Sequence, residues 1–246
     1  MKKCGILFDF DDTLVETAVH FELSRERYAR LMEDLNFPLD EVLLILDQMD
    51  IANVNKMGGF MKECFPRAMV QTYQHFCGRD SIDPDPEICR KVEEIGWWVF
   101  EQKPKPVPGA QEVLDHLSCS FDLFLATKGD PTIQWQRIDA SGLKKFFKKI
   151  YVLKDKTIQE YRDIARFNQL DPERSWVIGN SIKSEINPGI RAGFNCIHIP
   201  NRYTWQYEME DPSGEYVTLE SLEKIPGLLK NKVYNNYIQQ TGRKMV

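Results

Sequence analysis

Long apolar runs are missing from this chain. No stretch approaches the roughly 20 residues that cross a bilayer as a helix. The first apolar run stops at Asp9 after five residues, and no small-residue cleavage site follows, so the opening "MKK" is not expected to develop into a secretory signal. The six cysteines, at 4, 64, 77, 89, 119 and 196, form no C-x-x-C pair. They read as ordinary thiols of a reducing compartment. The four histidines, His20, His75, His116 and His198, have no partner at helical ligand spacing, which argues against a helix-borne zinc site. A basic excess is absent too: 32 Lys and Arg stand against 37 Asp and Glu, so no nucleic-acid partner is expected. With 42% hydrophobic residues the 246-residue chain can build a sizeable core. The expectation is a soluble cytoplasmic protein with no membrane partner, as a monomer or a homodimer.

Strand signals are nearly absent from one long region, 16 to about 102. There "ELSRERYARLMEDL" and "LDEVLLILDQM" place apolar residues at helical spacing, and "GGFMKECFPRAMVQTYQHF" and "PEICRKVEEIGWWVFEQ" follow as two more helices after Gly or Pro punctuation. Trp97 and Trp98 are adjacent and diverge by about 100° around a helix, so they read as packing rather than as one stacking face. Met57-Gly58-Gly59-Phe60 breaks this helical block. It reads equally as a plain turn or as a loop that selects what enters a site.

Elsewhere strands and helices alternate. A strand over 4–10 is apolar on both faces. After the stiff connector "KPKPVPGA" at 103–110, helices at 110–118, 132–146 and 157–168 and a turn near 185–192 lead into strands 122–127, 149–153, 175–179 and 195–199. A last strand near 215–218 and a helix at 219–229 close the pattern. Such alternation predicts an α/β fold: a doubly wound, Rossmann-like parallel sheet, with the first strand central and an all-helical domain inserted after it. The expected boundaries are 1–16 with 104–225 for the core, 17–103 for the insertion and 226–246 for a basic tail.

Ligands of open parallel sheets bind at the carboxyl ends of strands. The first strand ends in Asp9-Phe10-Asp11-Asp12-Thr13. The others end in Thr127-Lys128-Gly129-Asp130, Lys154-Asp155-Lys156 and Gly179-Asn180-Ser181, with Glu185 a turn later. In extended backbone, carboxylates two residues apart point the same way, roughly 6–7 Å apart. Left unpaired they repel, and a divalent cation held by hard oxygens relieves the repulsion.

These residues resemble the haloacid dehalogenase superfamily, whose members are mostly phosphatases. Asp9-Phe10-Asp11-Asp12-Thr13 matches the DxDx[TV] element, and Thr127 matches the Thr or Ser that ends a strand. Lys156 or Lys154 matches the motif lysine, with Lys156 preferred because "KTIQEY" opens a helix. Gly179 to Glu185 stands in the place of GDxxxxD, and the helical insertion lies where that family carries a cap. The resemblance implies a nucleophile at Asp9, a general acid and base at Asp11, and Thr127 and Lys156 on the transferring oxygens, with Lys128 also lining the phosphate site. It implies Mg²⁺ held by Asp9, the Asp11 carbonyl, Glu185 and Asn180.

The chain departs from the pattern at three places. Asn180 replaces a common aspartate and removes one negative charge. Glu185 lengthens its arm by a methylene. Asp12 stands for a frequent glycine and is expected to cap a turn through its side chain. The implied activity is hydrolysis of a small phosphorylated metabolite through an aspartyl-phosphate. A phosphomutase, a 2-haloacid dehalogenase and a non-catalytic ligand-binding relative are the alternatives, and Asp11 argues against the dehalogenase.

Overall fold

The computed structural model of the protein describes residues 3–230. The tail from 231 on, with Lys232, Arg243 and Lys244, lies outside the described residues. Six parallel strands form one sheet: β1 (Gly5–Phe8), β4 (Asp122–Lys128), β5 (Lys149–Leu153), β6 (Trp176–Gly179), β7 (Asn195–His198) and β8 (Val217–Thr218). Their spatial order is β5-β4-β1-β6-β7-β8, so β1 is interior and the chain winds outward in both directions from it. Period-two alternation settles which face each β1 residue serves. Ile6 and Phe8 pack with Leu125, Ile178 and Leu114 on one side. Leu7 packs with Phe124, Val177 and Ile164 on the other. Helices α5 (Ala110–Ser118) and α6 (Pro131–Ala140) supply Leu114 and Ile138 to the first core. Helix α7 (Ile158–Asn168) supplies Tyr161 and Ile164 to the second.

The helical insertion follows at once after β1. It comprises α1 (Ala18–Asp34), α2 (Leu39–Met57), α3 (Cys64–Arg79) and α4 (Pro86–Trp97). These helices enclose a hydrophobic cluster of their own, centred on Tyr28, Met32, Leu46, Met69 and Phe76. Gly96 of α4 lets Pro66 approach: a Cβ there would lie 2.5 Å from the Pro66 Cα. Trp98 stacks under the Arg27 guanidinium at 3.9 Å, while Trp97 meets Phe100 at a tilt of 60°. The two tryptophans thus serve different neighbours. A two-residue antiparallel ribbon, β2 (Val15–Glu16) with β3 (Lys105–Pro106), ties the two chain crossings together. The proline-rich connector is therefore half of this ribbon. No helix among the described residues is long and apolar enough to cross a membrane.

Three expected elements differ in extent. Helix α2 runs on to Met57 rather than stopping near 49, and ends where Gly58 takes φ +66 and the Gly59 amide bonds back to the Val54 carbonyl at 3.0 Å. Helix α6 stops at Ala140, because Gly142 adopts φ +72, and a single 3₁₀ turn at Lys144–Phe146 replaces its expected last turn. The turn after β6 is a π turn, Ile182–Ile186, running into α8 (Asn187–Arg191).

Candidate active site

Asp9 directly follows β1, and its amide still bonds to the Ile178 carbonyl at 2.9 Å. The nucleophile candidate is therefore fixed by an interior strand. Lys156 stands before the Thr157 cap that starts α7, and its side chain runs back into the core. Its Nζ donates to Asp9 Oδ1 and, at 2.8 Å, to Glu185 Oε1. All three groups are buried, Lys156 with only 1% of its side chain exposed. Burial alone would pull the lysine down. The charges of Asp9 and Glu185 overturn this and hold it well above its ordinary value, so it stays an ammonium. Burial pushes Asp9 up to about 7; Lys156 draws it back, and Glu185 and Asp11 add to the push. Two carboxylates thus share one ammonium, and with both ionised the cluster has one negative charge in surplus. Lys154 is exposed and lies instead against Gly58 and Gly59 of the insertion.

Glu185 reaches this cluster because of its turn. The Ile186 amide bonds five residues back to the Ser181 carbonyl at 3.2 Å, widening the backbone at this point. Glu185 Oε2 accepts from the Ser181 amide at 2.8 Å. Its stem folds over Gly179, where a Cβ would lie 2.3 Å from Glu185 Cγ. Glycine at 179 is thus a condition for the glutamate's pose.

The Asn180 side-chain amide stands 3.2 Å from Asp9 Oδ2, the Asp11 carbonyl oxygen and Thr13 Oγ1. With nitrogen inward it donates to these acceptors. With oxygen inward it accepts from the Thr13 hydroxyl and places hard oxygens side by side. That spacing is close to the about 3 Å between neighbouring ligands of an octahedral Mg²⁺ with 2.0–2.1 Å bonds. Among the described residues no three His, Cys, Asp or Glu side chains gather as a metal site. A cation here would rely on the Asp11 carbonyl and the Asn180 amide as well as on Asp9 and Glu185. This all-oxygen donor set, beside a surplus negative charge, fits a hard divalent ion.

The Asp11 carboxylate does not share a partner with Asp9. Its Oδ1 accepts from Thr17 Oγ1 at 2.7 Å and from Arg137 Nη1, and its Oδ2 accepts from Gln134 Nε2 at 2.6 Å. Burial would raise this group, but Arg137 and the hydrogen bonds outweigh it and hold Asp11 below the usual carboxylate value. The two aspartates therefore do not face one another unpaired, because each has its own basic partner. Asp12 adopts φ +62, a conformation that explains why glycine suits this position. Its Oδ1 accepts from the Thr17 and Ala18 amides at 3.0 and 2.8 Å and caps α1.

Thr127 is the penultimate residue of β4, two residues past the Leu125–Phe8 pairing. Its hydroxyl is buried and has no partner. Lys128 turns aside: its ammonium donates to Ser184 and to Glu208 Oε1, the latter at 2.7 Å. The ion pair with Glu208 takes up the charge expected to face a phosphate, because Glu208 lies on the 199–216 connection, for which the sequence pattern offers no signal. Lys128 Nζ also lies 4.4 Å over the ring of Phe60, which meets Trp205 and Tyr207 edge-on. The Gly-Gly loop of the insertion thus touches the core beside the strand ends. Sequence reasoning missed Thr17, Gln134, Arg137 and Glu208. The Q-x-x-R spacing on α6 was the one available signal, since i and i+3 share a helix face.

A family model described as haloacid dehalogenase-like hydrolase matches residues 6–199. The HAD-hydrolase YfnB of Bacillus subtilis is 28% identical over 199 residues, covering 77% of this chain and 81% of its own. A solved structure of that protein, bound to magnesium, superposes with a TM-score of 0.59 at 20% identity, over 93% of this chain and 99% of that one. The glyceraldehyde 3-phosphate phosphatase of Methanocaldococcus jannaschii is 23% identical over 236 residues, 92% of this chain and 97% of that one. A haloacid dehalogenase-like hydrolase from Xanthomonas campestris matches with a TM-score of 0.74 and 22% identity, over 94% and 92% of the two chains. By the extent of the family match, the chain belongs to the haloacid dehalogenase-like hydrolases.

Proposed function

We propose that this hydrolase is a Mg²⁺-dependent phosphatase, acting on a small phosphate monoester through an aspartyl-phosphate on Asp9. The observation that carries the reading is the buried Asp9–Lys156–Glu185 cluster at the end of β1, with a second aspartate two residues on. Asp9 attacks phosphorus in line, and the rigid strand keeps its carboxylate within the narrow tolerance such attack needs. Lys156 offers positive charge to the nucleophile and to the transferring oxygens. The orphaned Thr127 hydroxyl is suited to one of those oxygens. Asp11 gives a proton to the leaving oxygen, then takes one from the water that splits the acyl phosphate. Asp9, the Asp11 carbonyl, Glu185 and Asn180 would hold Mg²⁺, which when bound offsets the negative charge that separates two anionic reactants.

The names of relatives support the class: one is a glyceraldehyde 3-phosphate phosphatase and two are pyrimidine 5'-nucleotidases. We further read residues 17–103 as a cap over the strand ends, hinged at the β2–β3 ribbon. A panel of phosphorylated metabolites, with and without Mg²⁺, tests the proposal. Phosphate release that needs Mg²⁺ and disappears in Asp9→Asn is expected. Release of halide from 2-haloacids without phosphate release, or no Asp9-dependent turnover across the panel, would contradict it.

A further inference from the structure

Helix α6 reaches into this site from a direction the motifs do not mark. Asp130 caps it, accepting from the Thr132 and Ile133 amides at 2.9 and 3.1 Å, and Pro131 starts it directly after β4. Gln134 and Arg137, three apart, then project from one face of α6 toward the loop after β1. Gln134 Nε2 is anchored on the Lys128 carbonyl at 2.9 Å and lies against Gly129, where a Cβ would come within 2.9 Å of it. From that anchor it donates to Asp11 Oδ2 at 2.6 Å. Arg137 makes a closed ring. Its Nη1 donates to Asp11 Oδ1, its Nη2 donates to Thr17 Oγ1 at 2.6 Å, and Thr17 Oγ1 donates to Asp11 Oδ1 at 2.7 Å. Thr17 precedes α1, yet its hydroxyl does not cap that helix; it is committed to this ring.

We propose that Arg137 and Gln134 are positioning residues for Asp11, and that the Arg137–Thr17 link couples the placement of Asp11 to the movement of the helical insertion. The proposal rests on the reading of Asp11 as the group that protonates the leaving oxygen. Asp9, Asp11 and Asp12 are crowded into four residues, and Asp11 needs a counter-charge to keep a single place among them. Arg137 supplies that charge with a planar fork that spans both the carboxylate and the Thr17 hydroxyl. All of the contacts made by the Asp11 carboxylate are with donors, and together they aim it at α6. To serve a leaving oxygen it must turn, and the Thr17 hydroxyl is one of the contacts it releases in doing so. That residue lies between the Val15–Glu16 ribbon strand and α1, where any rotation of the insertion is felt.

Leaving-group dependence tests this. p-Nitrophenolate departs without a proton, whereas the alkoxide of glycerol 2-phosphate needs one. Arg137→Met is expected to lower kcat on glycerol 2-phosphate at least tenfold and on p-nitrophenyl phosphate less than threefold. Arg137→Lys, which keeps the charge without the fork, should recover part of the loss. In an Asp11→Asn background, Arg137→Met should change neither rate more than twofold. A parallel loss on both substrates that persists in the Asp11→Asn background would overturn the positioning role. A second readout needs no turnover. Amide exchange at residues 15–18 should rise at least tenfold in Arg137→Met while exchange at 5–8 stays as it was; unchanged exchange at 15–18 would overturn the coupling. Absence of turnover in the parent protein would instead count against the phosphatase reading, and the exchange measurement would still decide the coupling.

Discussion

Replacing Lys156 by methionine removes the one positive charge between two buried carboxylates. Both Asp9 Oδ1 and Glu185 Oε1 lie within hydrogen-bonding reach of the same nitrogen, so those oxygens are at most about 5 Å apart. At an effective dielectric of about 20, two like charges at that distance repel by about 3 kcal/mol. Breaking a buried ion pair by removing one partner costs about 3–5 kcal/mol in comparable cases. The two figures agree, and for a chain of this size they correspond to a fall in Tm of roughly 6–20 °C. The pH dependence has a definite sign. Burial already raises Asp9 to about 7 in the parent, and without the lysine, which draws it back, it rises further above its unfolded value. Stability from such groups is full below the unfolded values and is lost as pH rises through the folded ones. The gap between parent and Lys156→Met should therefore be wide at pH 8 and narrow at pH 5. Mg²⁺ should stabilise the variant more than the parent, because a cation then replaces the missing charge. Urea and thermal unfolding at both pH values, with and without Mg²⁺, measure this. A variant within about 1 kcal/mol of the parent at pH 8, with no pH trend, would refute the electrostatic account of the cluster.

Three further outcomes follow from the same geometry. Asn180→Asp places a third carboxylate against Asp9 Oδ2 and the Asp11 carbonyl, so thermal unfolding should show a less stable metal-free protein and an apparent Mg²⁺ affinity raised about tenfold or more; equal Mg²⁺ stabilisation of both proteins would count against this site. Gly179→Ala drives a Cβ into Glu185, so it should cost about 1–3 kcal/mol and abolish Mg²⁺-dependent stabilisation, whereas an unchanged Mg²⁺ response would free Glu185 from the metal role. In the insertion, burial and the nearby Asp47 push Asp50 up to about 7, with Arg25 drawing it back, and its Oδ1 has no partner. The stability associated with its raised value is present below about pH 4 and lost as pH climbs through 7. Asp50→Asn should accordingly stabilise the protein by about 1–3 kcal/mol at pH 8 and by nothing measurable at pH 4; equal effects at the two values would show that Asp50 is not strained by burial.

What could be read from the sequence is what local pattern encodes. The continuous apolar run of β1, the helical periodicity of 18–97 and the polar residues that close the strands can all be read along the chain. The preference for Lys156 over Lys154 also came from local pattern, since a residue opening α7 can reach back to the sheet. The partners of Asp11 could not be read this way. Arg137 and Gln134 are more than 120 residues away in sequence, and the register of α6 against the β1 loop decides the contact. Glu208 is harder still, because it comes from an irregular connection between β7 and β8 and meets Lys128, Ser181 and Ser184 only once the chain is folded. The early stop of α6 depends on a single glycine in a left-handed conformation, which periodicity alone does not register.

Covalent phosphorylation of Asp9 is the step on which the proposed chemistry turns. Rapid acid quenching during turnover with p-nitrophenyl phosphate and Mg²⁺, followed by peptide mass spectrometry, tests it directly. An acid-stable, hydroxylamine-sensitive addition of one phosphoryl group on Asp9 is expected, absent from Asp9→Asn and longer-lived in Asp11→Asn. Turnover with no phosphoryl group on Asp9, or with the group on another residue, would contradict it.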